Sequence, residues 1–432
     1  MMAKLLTAGD VPFSSARLSS VAVIGMGYVG LPTALGLHAN GISVLGIDHD
    51  PHRLEAIRNQ NVDLIGPDRE RLATALGESG FELTTDVARL AEADAVMVCV
   101  PTPVDSRLLP DLGPLSDACD KLVRYARAGQ TFILTSTSFI GTTATMLVEP
   151  LTDRGLTVGS DVFVASSPER IDPGNVRHTQ QETPRVLGGV TPRCTDMAAR
   201  VIEALSPIAH RVGSPEVAEM TKLYENTFRA VNIALANEFA DICADLTLDP
   251  MEVIDAASTK PYGFMPFHPG PGVGGHCIPC DPHYLLWQLS ETRTGAPLVR
   301  QAMNAIAERP RRVVERVQGV LSDNGKGMAG SRILVVGVSY KPGVRDVRSS
   351  PALEIIELLT RRGAKVGYYD PLIQRVALAD GTVLESIVEP AGSDWDAALL
   401  HTVQPDHDYA WVHQCPMTVD ATYRFAPSPA PC

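Results

Sequence analysis

Two cysteines stand three residues apart in the most unusual stretch of the chain, Gly274-Gly275-His276-Cys277-Ile278-Pro279-Cys280-Asp281. A structural zinc ion needs four ligands, and no second pair of closely spaced cysteines exists to complete a site with His276. A thioredoxin-like redox pair opens a helix directly after a strand, whereas glycines precede this pair. The remaining chemistry is nucleophilic, with the Cys277 thiol on a glycine-shaped loop beside Asp281. The glycine density favours this interpretation over a cysteine buried in an ordinary turn, and we expect no metal site.

A lysine and an amide form a second candidate pair, Lys222 and Asn226, within a long helical pattern. Residues four apart lie on one face of a helix, so the two side chains should be neighbours beside the apolar stripe. A solvated polar face is the commoner explanation of such a pair. Spacing alone therefore favours solvation over catalysis at these two positions.

A cluster of three glycines lies between the apolar run 21–24 and a helical pattern at 31–39. The glycines are Gly25, Gly27 and Gly30. Glycines at this spacing permit a tight turn, close approach of the backbone to a pyrophosphate and close packing of helix on strand. Asp48 ends the next strand about 20 residues later, where an acid can accept hydrogen bonds from a ribose. The acid favours NAD over NADP, although Arg53 nearby leaves NADP open. Strand, helix and acid together favour dinucleotide binding over a merely structural turn.

Polar side chains follow three further predicted strands, at 135–138, 166–170 and 341–348. The carboxyl ends of strands face the ligand crevice in sheets of this kind, which positions Thr137 and Glu169 for a site. Hydroxyl-rich turns are also common helix caps. The third segment supplies cations where a phosphate-bearing ligand would lie, with a solvated basic turn as the alternative.

The elements that must position these residues alternate between strand and helix from residue 19 to about 210. This pattern predicts an α/β unit with a parallel sheet covered on both faces. After the start signal Ser214-Pro215-Glu216, apolar residues recur at gaps of three and four and predict a helix of about 30 residues, about 45 Å long. Asp249-Pro250 opens a further helix, and residues 260–283 should form an irregular loop. A third unit near 332 loosely repeats the first, because 333–337 and 366–371 echo 21–25 and 47–51.

Composition and charge set the remaining limits. The chain has 432 residues, which predicts roughly three domains, and no apolar run approaches the ~20 residues of a membrane span. Its net charge of −13 argues against a nucleic-acid partner. Eight scattered cysteines are typical of reduced thiols. We therefore expect a cytoplasmic protein with neither a nucleic-acid nor a membrane partner.

Taken together, these motifs resemble the UDP-glucose/GDP-mannose dehydrogenase family, the nucleotide-sugar 6-dehydrogenases, over almost the whole chain. The resemblance rests on the glycine turn, on 166–175, on 222–229, on the Cys277 stretch and on Lys341 with 346–351. Within the family, residues 260–272 with His276 resemble the branch that acts on UDP-N-acetylhexosamines. The resemblance implies two Rossmann-like doubly wound domains joined by a long central helix that forms a homodimer core. Its domain bounds would be 1–18 (a flexible lead), 19–210 (NAD-binding), 211–325 (central, catalytic) and 326–432 (UDP-binding).

The resemblance also implies a reaction, in which two NAD+ and one water convert the C6 alcohol of a UDP-sugar to a carboxylate. Cys277 would attack the C6 aldehyde to give a thiohemiacetal and then a thioester. Lys222 and Asn226 would stabilise the oxyanion, contrary to the interpretation from spacing alone, while Asp281, Glu169 and Thr137 would move protons and position water. The cofactor would be bound by Gly25, Gly27, Tyr28, Val29, Gly30, Asp48, Arg53, Thr102, Ser136, Thr137 and Arg348. The substrate would be bound by Glu169, Arg170, Lys222, Asn226, Phe267, Gly272, Gly274 and Lys341.

Three alternatives and three departures accompany this resemblance. The chain could instead be a UDP-glucose 6-dehydrogenase, a catalytically silent nucleotide-binding scaffold, or a two-electron dehydrogenase with no need of a thiol. Cys280 stands where relatives often carry an aliphatic residue, which raises the hypothesis of an inactivating disulfide with Cys277. Residues 343–345 and 401–414 also depart from the family pattern, so no role is transferred to the latter.

Overall fold

The computed structural model describes residues 18–64, 66–170, 182–392 and 394–425. The expected flexible lead lies outside the described residues except for Leu18, and so do residues 171–175 of the 166–175 motif. Nothing in the described part of the chain forms a helix both long and apolar enough to span a bilayer. The architecture is α/β, with one sheet before and one after a helical middle section.

The first sheet has eight strands in the order β3-β2-β1-β4-β5-β6-β7-β8. All neighbouring pairs are parallel except β6 with β7, which is antiparallel. The last strand ends two residues beyond the predicted end of the first unit. The strands are β1 (Ser20–Ile24), β2 (Ser43–Ile47), β3 (Phe81–Thr84), β4 (Ala95–Val98), β5 (Thr131–Leu134), β6 (Phe163–Ser166), β7 (Arg185–Gly189) and β8 (Ala209–Val212).

Helices cover both faces of this sheet, because alternate side chains of the central strands enter two separate apolar cores. Val21 and Val23 pack on one side of β1, and Ala22 and Ile24 on the other. The order β3-β2-β1-β4 reverses direction between β1 and β4, which opens a crevice at their carboxyl ends. The helices are α1 (Gly30–Ala39), α2 (Pro51–Arg58), α3 (Gly66–Gly77), α4 (Gly113–Tyr125), α5 (Glu149–Asp153, after a π-helical turn at Ala144–Val148) and α6 (Pro192–Ile202), with a 3₁₀ turn at Val87–Glu92.

The middle section contains α7 (Pro215–Asp245), α8 (Pro250–Ser258), α9 (Asp281–Glu291) and α10 (Pro297–Asp323). Its first helix has 31 residues and begins where predicted, with the Ser214 hydroxyl accepting from the Val217 N–H. The helix packs against β6, β7, α9 and α10. The irregular loop ends at residue 280, earlier than the predicted 283, because Asp281-Pro282 begins α9.

The second sheet has four parallel strands in the order β10-β9-β13-β14. It repeats the first sheet locally: the N–H of Gly25 bonds the Ile47 carbonyl, and the N–H of Gly337 bonds the Tyr369 carbonyl, at the ends of β1 and β9. Both glycines have positive φ. The elements are β9 (Arg332–Val336), α11 (Pro351–Arg361), β10 (Lys365–Tyr369), the antiparallel pair β11 (Arg375–Ala377) and β12 (Val383–Glu385), β13 (Ala397–Leu400), a 3₁₀ turn at Ala410–Gln414 and β14 (Met417–Asp420).

A buried arginine ties the second sheet to the helical section. Arg309 of α10 is 2% exposed and forms an ion pair of 2.7 Å with Asp241 of α7. Its other nitrogens donate to the Gly270 carbonyl of the irregular loop and to the Tyr423 hydroxyl beyond β14. One guanidinium thus fixes two helices, the loop and the end of the second sheet relative to one another.

Candidate active site

Cys277 lies exposed on the loop, where the first sheet, the helical section and the second sheet meet. The Gly275 N–H donates to the Arg348 carbonyl at 3.0 Å, which holds the loop against the second sheet. A Cβ on Gly274 would come within 2.6 Å of the Cβ of Tyr340. A Cβ on Gly275 would come within 2.9 Å of the aromatic ring of the same tyrosine. The glycines before the thiol are therefore required for this close approach, and Gly275 also has a φ of +82°.

A tight turn brings Asp281 next to the thiol. The Cys277 carbonyl accepts from the N–H groups of Cys280, at 3.1 Å, and Asp281, at 2.8 Å. Cys280 itself is buried, at the start of α9. The chain therefore presents Cys277 to solvent and directs the carboxylate of Asp281 inward.

Lys222 and Asn226 line the other side of this turn. The Asn226 amide donates to Asp281 Oδ2, and Lys222 lies one helical turn earlier, close enough to affect the pKa values of both Asp281 and Cys277. Lys222 is only 9% exposed. The expectation from spacing, a solvated polar face, is therefore wrong at Lys222, because α9 and the Cys277 turn cover that face of α7.

Burial sets the protonation of this cluster. The pKa of Asp281 is raised to about 6, because the carboxylate is desolvated; Lys222 and Asn226 oppose the shift. The pKa of the Cys277 thiol is raised to about 11, first because the surrounding protein desolvates the thiolate and second because the Asp281 charge repels it, while Lys222 again opposes. Solvent reaches the thiol, yet crowded protein surrounds it on the other sides. Near neutral pH, Cys277 is therefore a protonated thiol, whereas the Asp281 carboxyl gains and loses its proton close to that pH.

Glu169 and Arg170 lie just beyond the end of β6, in two ion pairs. Glu169 is 7% exposed and pairs with Arg185 of β7 at 2.7 Å, and it also accepts from the Arg170 N–H at 2.7 Å. The Arg170 guanidinium pairs with Glu225 of α7. Arg185 is 1% exposed and was not found from the sequence; an arginine opening an apolar strand is the only signal that could have pointed to it.

Hydroxyl side chains surround the same sheet edge. Thr102 is buried and Thr137 is half-buried, while Ser136 Oγ is engaged with the Val100 carbonyl at 2.8 Å. The buried hydroxyls of Ser138 and Ser166 have no hydrogen-bond partner among the residues that the structure describes. Unpaired buried donors at the carboxyl ends of β5 and β6 are suited to a polar ligand.

A second buried acid, Glu219, was also missed from the sequence. Its carboxylate accepts from the Gly141 and Thr143 N–H groups and from the Thr143 hydroxyl, and its pKa is raised by desolvation. It fixes the chain after β5 to α7, and so it supports the hydroxyl-rich edge.

The turn between β1 and α1 fits a dinucleotide phosphate. A Cβ on Gly25 or Gly30 would lie 2.6 and 1.8 Å from a carbonyl oxygen, whereas a Cβ on Gly27 would meet no described atom within 4 Å. Among the described residues no side chain caps the start of α1 at Val29, so the positive end of this helix faces the glycine turn without a capping group. Asp48 lies at the end of β2, as a ribose contact requires.

Asp48 and Arg53 also brace this turn. Asp48 accepts from the N–H groups of Met26, at 2.8 Å, and Asp50, at 3.0 Å, and Arg53 Nε donates to the Met26 carbonyl at 2.8 Å. The guanidinium of Arg53 is thus directed to backbone in this structure, where a 2′-phosphate ligand would need it free.

Arg348 crosses from the second sheet to the first. Its guanidinium lies 4.6 Å from the ring centroid of Tyr28 and pairs with the buried Asp346 at 2.7 Å. The crossing places Arg348 at the rim of the dinucleotide turn. Lys341 lies in the loop that follows β9 and is half-buried.

Two predicted substrate residues have packing roles in this structure. Phe267 packs edge-to-face on Phe228 of α7, with ring centroids 5.8 Å apart. Gly272 has a φ of +146°, and its Cβ position is filled by Pro351. No group of three or more potential metal ligands lies together in the described part of the chain.

Comparison with protein families gives three consecutive matches. All belong to the UDP-glucose/GDP-mannose dehydrogenase family: its NAD binding domain matches residues 19–206, its central domain residues 216–306 and its UDP binding domain residues 334–424. The glycine turn falls in the first match, Cys277 in the second and Lys341 in the third.

Similar individual proteins are dehydrogenases of nucleotide sugars, in agreement with the family matches. The chain is 35% identical to a UDP-N-acetyl-D-mannosamine dehydrogenase of Escherichia coli (strain K12) over 356 residues, covering 79% of this chain and 83% of the relative. It is 34% identical to an NDP-N-acetyl-D-galactosaminuronic acid dehydrogenase of Ralstonia solanacearum, covering 79% and 80%. The structure of a UDP-D-ManNAc dehydrogenase from Pyrococcus horikoshii superposes with a TM-score of 0.86 at 30% identity, covering 95% of this chain and 97% of that one.

A matched pair of glycine variants tests the dinucleotide turn. Gly30→Ala should destabilise the protein by about 2 kcal/mol or more, because the new methyl group overlaps the Gly25 carbonyl. Gly27→Ala should change stability by less than about 0.5 kcal/mol but weaken NAD+ binding roughly tenfold, because its methyl group enters the open side of the turn. Thermal unfolding and calorimetric titration measure the two effects; equal NAD+ affinity of wild type and Gly27→Ala would count against the assignment.

The pKa of the thiol predicts its reactivity. Below a pKa of about 11 the thiolate fraction grows tenfold per pH unit, so alkylation of Cys277 by iodoacetamide should accelerate about 100-fold between pH 7 and 9. Asp281→Asn should accelerate the reaction at pH 8 by removing a repelling charge, and Lys222→Met should slow it. Mass spectrometry of the Cys277 peptide gives the rates, and identical rates in both variants would contradict this electrostatic account.

Proposed function

The chain belongs to the UDP-glucose/GDP-mannose dehydrogenase family and is an NAD-dependent oxidoreductase, and we propose that it is a UDP-N-acetylhexosamine 6-dehydrogenase. In this proposal it oxidises the C6 alcohol of the sugar to a carboxylate in two steps. The observation that carries the proposal is the position of Cys277: an exposed thiol, held by a glycine loop between the two sheets, beside a buried lysine, a buried carboxylate and a half-buried amide.

The thiol accounts for the second oxidation. Once the alcohol has become an aldehyde, Cys277 adds to the carbonyl carbon, forming a carbon–sulfur bond in a thiohemiacetal. Oxidation of this adduct gives a thioester, which water hydrolyses to the carboxylate, releasing the free thiol. The glycine turn at Gly25, Gly27 and Gly30 would hold NAD+, which would supply the two-electron oxidant for each of the two oxidations. Covalent capture also retains the reactive aldehyde, which supports a four-electron over a two-electron reaction.

Lys222 and Asn226 are the oxyanion stabilisers of this proposal. An ammonium held in a largely buried position interacts strongly with a developing negative charge, because little water screens it. The Asn226 amide is fixed by Asp281, so its orientation needs no rearrangement. Asp281 itself, with a pKa of about 6, can accept a proton near neutral pH and return it.

Glu169 and Thr137 position the hydrolytic water in this proposal. Glu169 is held by the Arg185 guanidinium, and this ion pair fixes its carboxylate at the edge of β6. The substrate cleft around Glu169 would be formed by five further residues: Arg170, Phe267, Gly272, Gly274 and Lys341. Two of them, Phe267 and Gly272, would shape the cleft through their packing against Phe228 and Pro351. The cofactor site would be completed by four residues around the glycine turn: Tyr28, Thr102, Ser136 and Arg348.

The N-acetylhexosamine specificity rests on the relatives. Two proteins similar to this chain are named for N-acetylmannosamine, and one for N-acetylgalactosaminuronic acid. The acetamido group is common to these sugars, whereas their ring configurations differ. We therefore propose an N-acetylhexosamine as the substrate class and leave the epimer to experiment.

A homodimer through α7 also forms part of the proposal. Of the predicted apolar stripe on this helix, only Leu223 is fully buried within the chain. Six other stripe residues are at least 41% exposed on a single helix, and they would be covered by a second copy of α7: Met220, Tyr224, Phe228, Leu235, Phe239 and Ile242. So large an apolar face is typical of an interface.

Stoichiometry tests the proposed reaction. Incubation with UDP-N-acetylmannosamine, UDP-N-acetylglucosamine, UDP-N-acetylgalactosamine and UDP-glucose should give two NADH per sugar with one of the acetamido sugars and much slower turnover of UDP-glucose. One NADH per sugar at completion would contradict the double oxidation. Preferential turnover of UDP-glucose would overturn only the substrate class.

Replacement of the thiol tests its role directly. Cys277→Ala should form no uronate product. It should bind NAD+ as the wild type does, because the glycine turn that would hold NAD+ lies in the first sheet and not in the loop that carries Cys277. Cys280→Ala, three residues away and buried, is the matched control and should stay active. Substantial steady-state turnover by Cys277→Ala would refute the covalent mechanism. Loss of activity after mild oxidation in the wild type, and its absence in Cys280→Ala, would in addition support a disulfide between the two cysteines.

A charge on the exposed face of α7 should separate the dimer. Phe239→Asp should convert a two-chain species to monomer at micromolar concentration, because an unpaired carboxylate would be buried at the interface. Val388→Asp, on an 85% exposed residue of the loop between β12 and β13, is the matched control and should leave the mass unchanged. Light scattering after size-exclusion chromatography measures both, and a monomeric wild type would dismiss the dimer.

A further inference from the structure

The segment that follows β5 connects the first sheet to both helices of the thiol site. It begins at Ser136, whose hydroxyl donates to the Val100 carbonyl at 2.8 Å. Its far end, at Ile140 and Gly141, is bonded by side chains of α9 and α7. Only three residues lie between Ser136 and Ile140, and the first of them is Thr137. Few backbone conformations are open to so short a stretch once both of its ends are fixed.

Gln288 of α9 holds Ile140 through both polar atoms of its amide. Gln288 Oε1 accepts from the Ile140 N–H at 3.0 Å, and Gln288 Nε2 donates to the carbonyl of the same residue at 2.7 Å. The amide thus offers a donor and an acceptor to one residue, as a neighbouring strand would. The ring of Phe139 also packs edge-to-face on Trp287, with ring centroids 5.7 Å apart. Together these contacts fix both the position and the direction of the chain at residue 140.

The same helix carries Asp281 beside the thiol. Gln288 follows Asp281 by seven residues, which places the two side chains on one face of α9, about 10 Å apart along its axis. Asp281 binds the Asn226 amide, and its N–H donates to the Cys277 carbonyl. Because the hydrogen bonds of a helix keep its length constant, the contact at Ile140 sets the distance from the segment after β5 to the thiol turn.

A second contact joins this segment to α7. Glu219 accepts from the N–H groups of Gly141 and Thr143, at 2.7 and 2.9 Å. The glutamate is only 5% exposed, so little water competes for these bonds. It lies three residues before Lys222 on the same helix. The segment is therefore bound to the helix that carries the lysine and the amide of the site, as well as to the helix beside the thiol.

We propose that Gln288 is a positioning residue: by holding Ile140, it keeps Thr137 where a water molecule can attack the thioester carbon. The inference rests on the proposed function, in which Thr137 and Glu169 position that water. In the hydrolysis the water oxygen bonds to the acyl carbon and the carbon–sulfur bond breaks. One water proton goes to the departing thiolate and the other to solvent, so the products are a carboxylate and a free thiol.

Gln288→Met tests this role, because it removes both hydrogen bonds and keeps the length of the side chain. With the UDP-N-acetylhexosamine that the wild type oxidises fastest, kcat should fall roughly tenfold and the KM for that sugar should change by less than about twofold, because a small displacement of Thr137 misorients the water. The thioester should consequently accumulate on Cys277 during turnover. Mass spectrometry of the acid-quenched Cys277 peptide measures this accumulation.

Two further variants complete the comparison. Gln318→Met is the matched control, since this exposed glutamine of α10 accepts a hydrogen bond from Arg362 at 2.7 Å and lies on the side of the second sheet. It should leave both kcat and the amount of thioester unchanged. Gln288→Glu keeps an acceptor for the Ile140 N–H but has no donor for the Ile140 carbonyl, so its kcat should fall as in Gln288→Met.

Hydrogen exchange tests the contact in the chain without cofactor or substrate. In Gln288→Met the Ile140 N–H loses its acceptor, so the peptide spanning 136–143 should exchange roughly threefold faster or more. Alkylation of Cys277 by iodoacetamide should keep its wild-type rate, because the charges of Lys222 and Asp281 are unchanged. A cooperative thermal transition in each variant shows that it is folded.

Four results would overturn the inference and leave the proposed function standing. Three concern Gln288→Met: a wild-type kcat, a lower kcat without accumulation of the thioester, or unchanged exchange of the segment. The fourth is a wild-type kcat in Gln288→Glu. A wild type that forms no uronate from any UDP-N-acetylhexosamine would instead remove the proposed function, and the role of Gln288 with it.

Discussion

The buried carboxylate of Asp281 is the constraint on which the site depends. It opens α9, where the positive end of the helix favours a negative charge, and it binds the Asn226 amide of α7 across 55 residues of sequence. Lys222 would otherwise be a buried cation without compensation, which proteins rarely tolerate. One carboxylate therefore holds the thiol turn on the long helix and supplies the opposite charge beside the lysine. The raised pKa of Cys277 is a consequence of the same arrangement, which buries the thiol next to a carboxylate.

A second constraint comes from the glycine loop. Tyr340 and Pro351 occupy the space that side chains at Gly274 and Gly272 would need, so the loop is pressed against the second sheet. Arg309 fixes the same loop from α10. Because one segment both carries the thiol and borders the cavity lined by Tyr340 and Arg424, a shift of the second sheet would move the thiol and the cavity together.

The sequence was sufficient for features that rest on local rules. Period and caps placed β1, β2 and the start of α7, since strand alternation, proline and a capping serine act within a few residues. Period and caps could not predict that Lys222 is buried, because burial depends on what covers a helix face. The element that covers it, α9, lies far along the chain. The Glu169–Arg185 pair is hidden for the same reason. The apolar stripe of α7 was correctly predicted as apolar, but periodicity does not tell which partner covers it. The resemblance to a family supplied what spacing could not, without showing the contacts.

The two glycine turns illustrate how similar sequence produces different chemistry. Each sheet has a strand, a glycine with positive φ and an acid at the end of the next strand, Asp48 and Asp370. Asp370 is completely buried and accepts from three N–H groups, those of Val338, Ser339 and Leu372, so a ribose has no access to it. The side chain of Asp48 is 11% exposed and accepts from two N–H groups, leaving room for a further donor. The second turn also lacks the glycine that keeps the first one open at residue 27. The second sheet therefore repeats the glycine turn of the first without an acid that a ribose could reach.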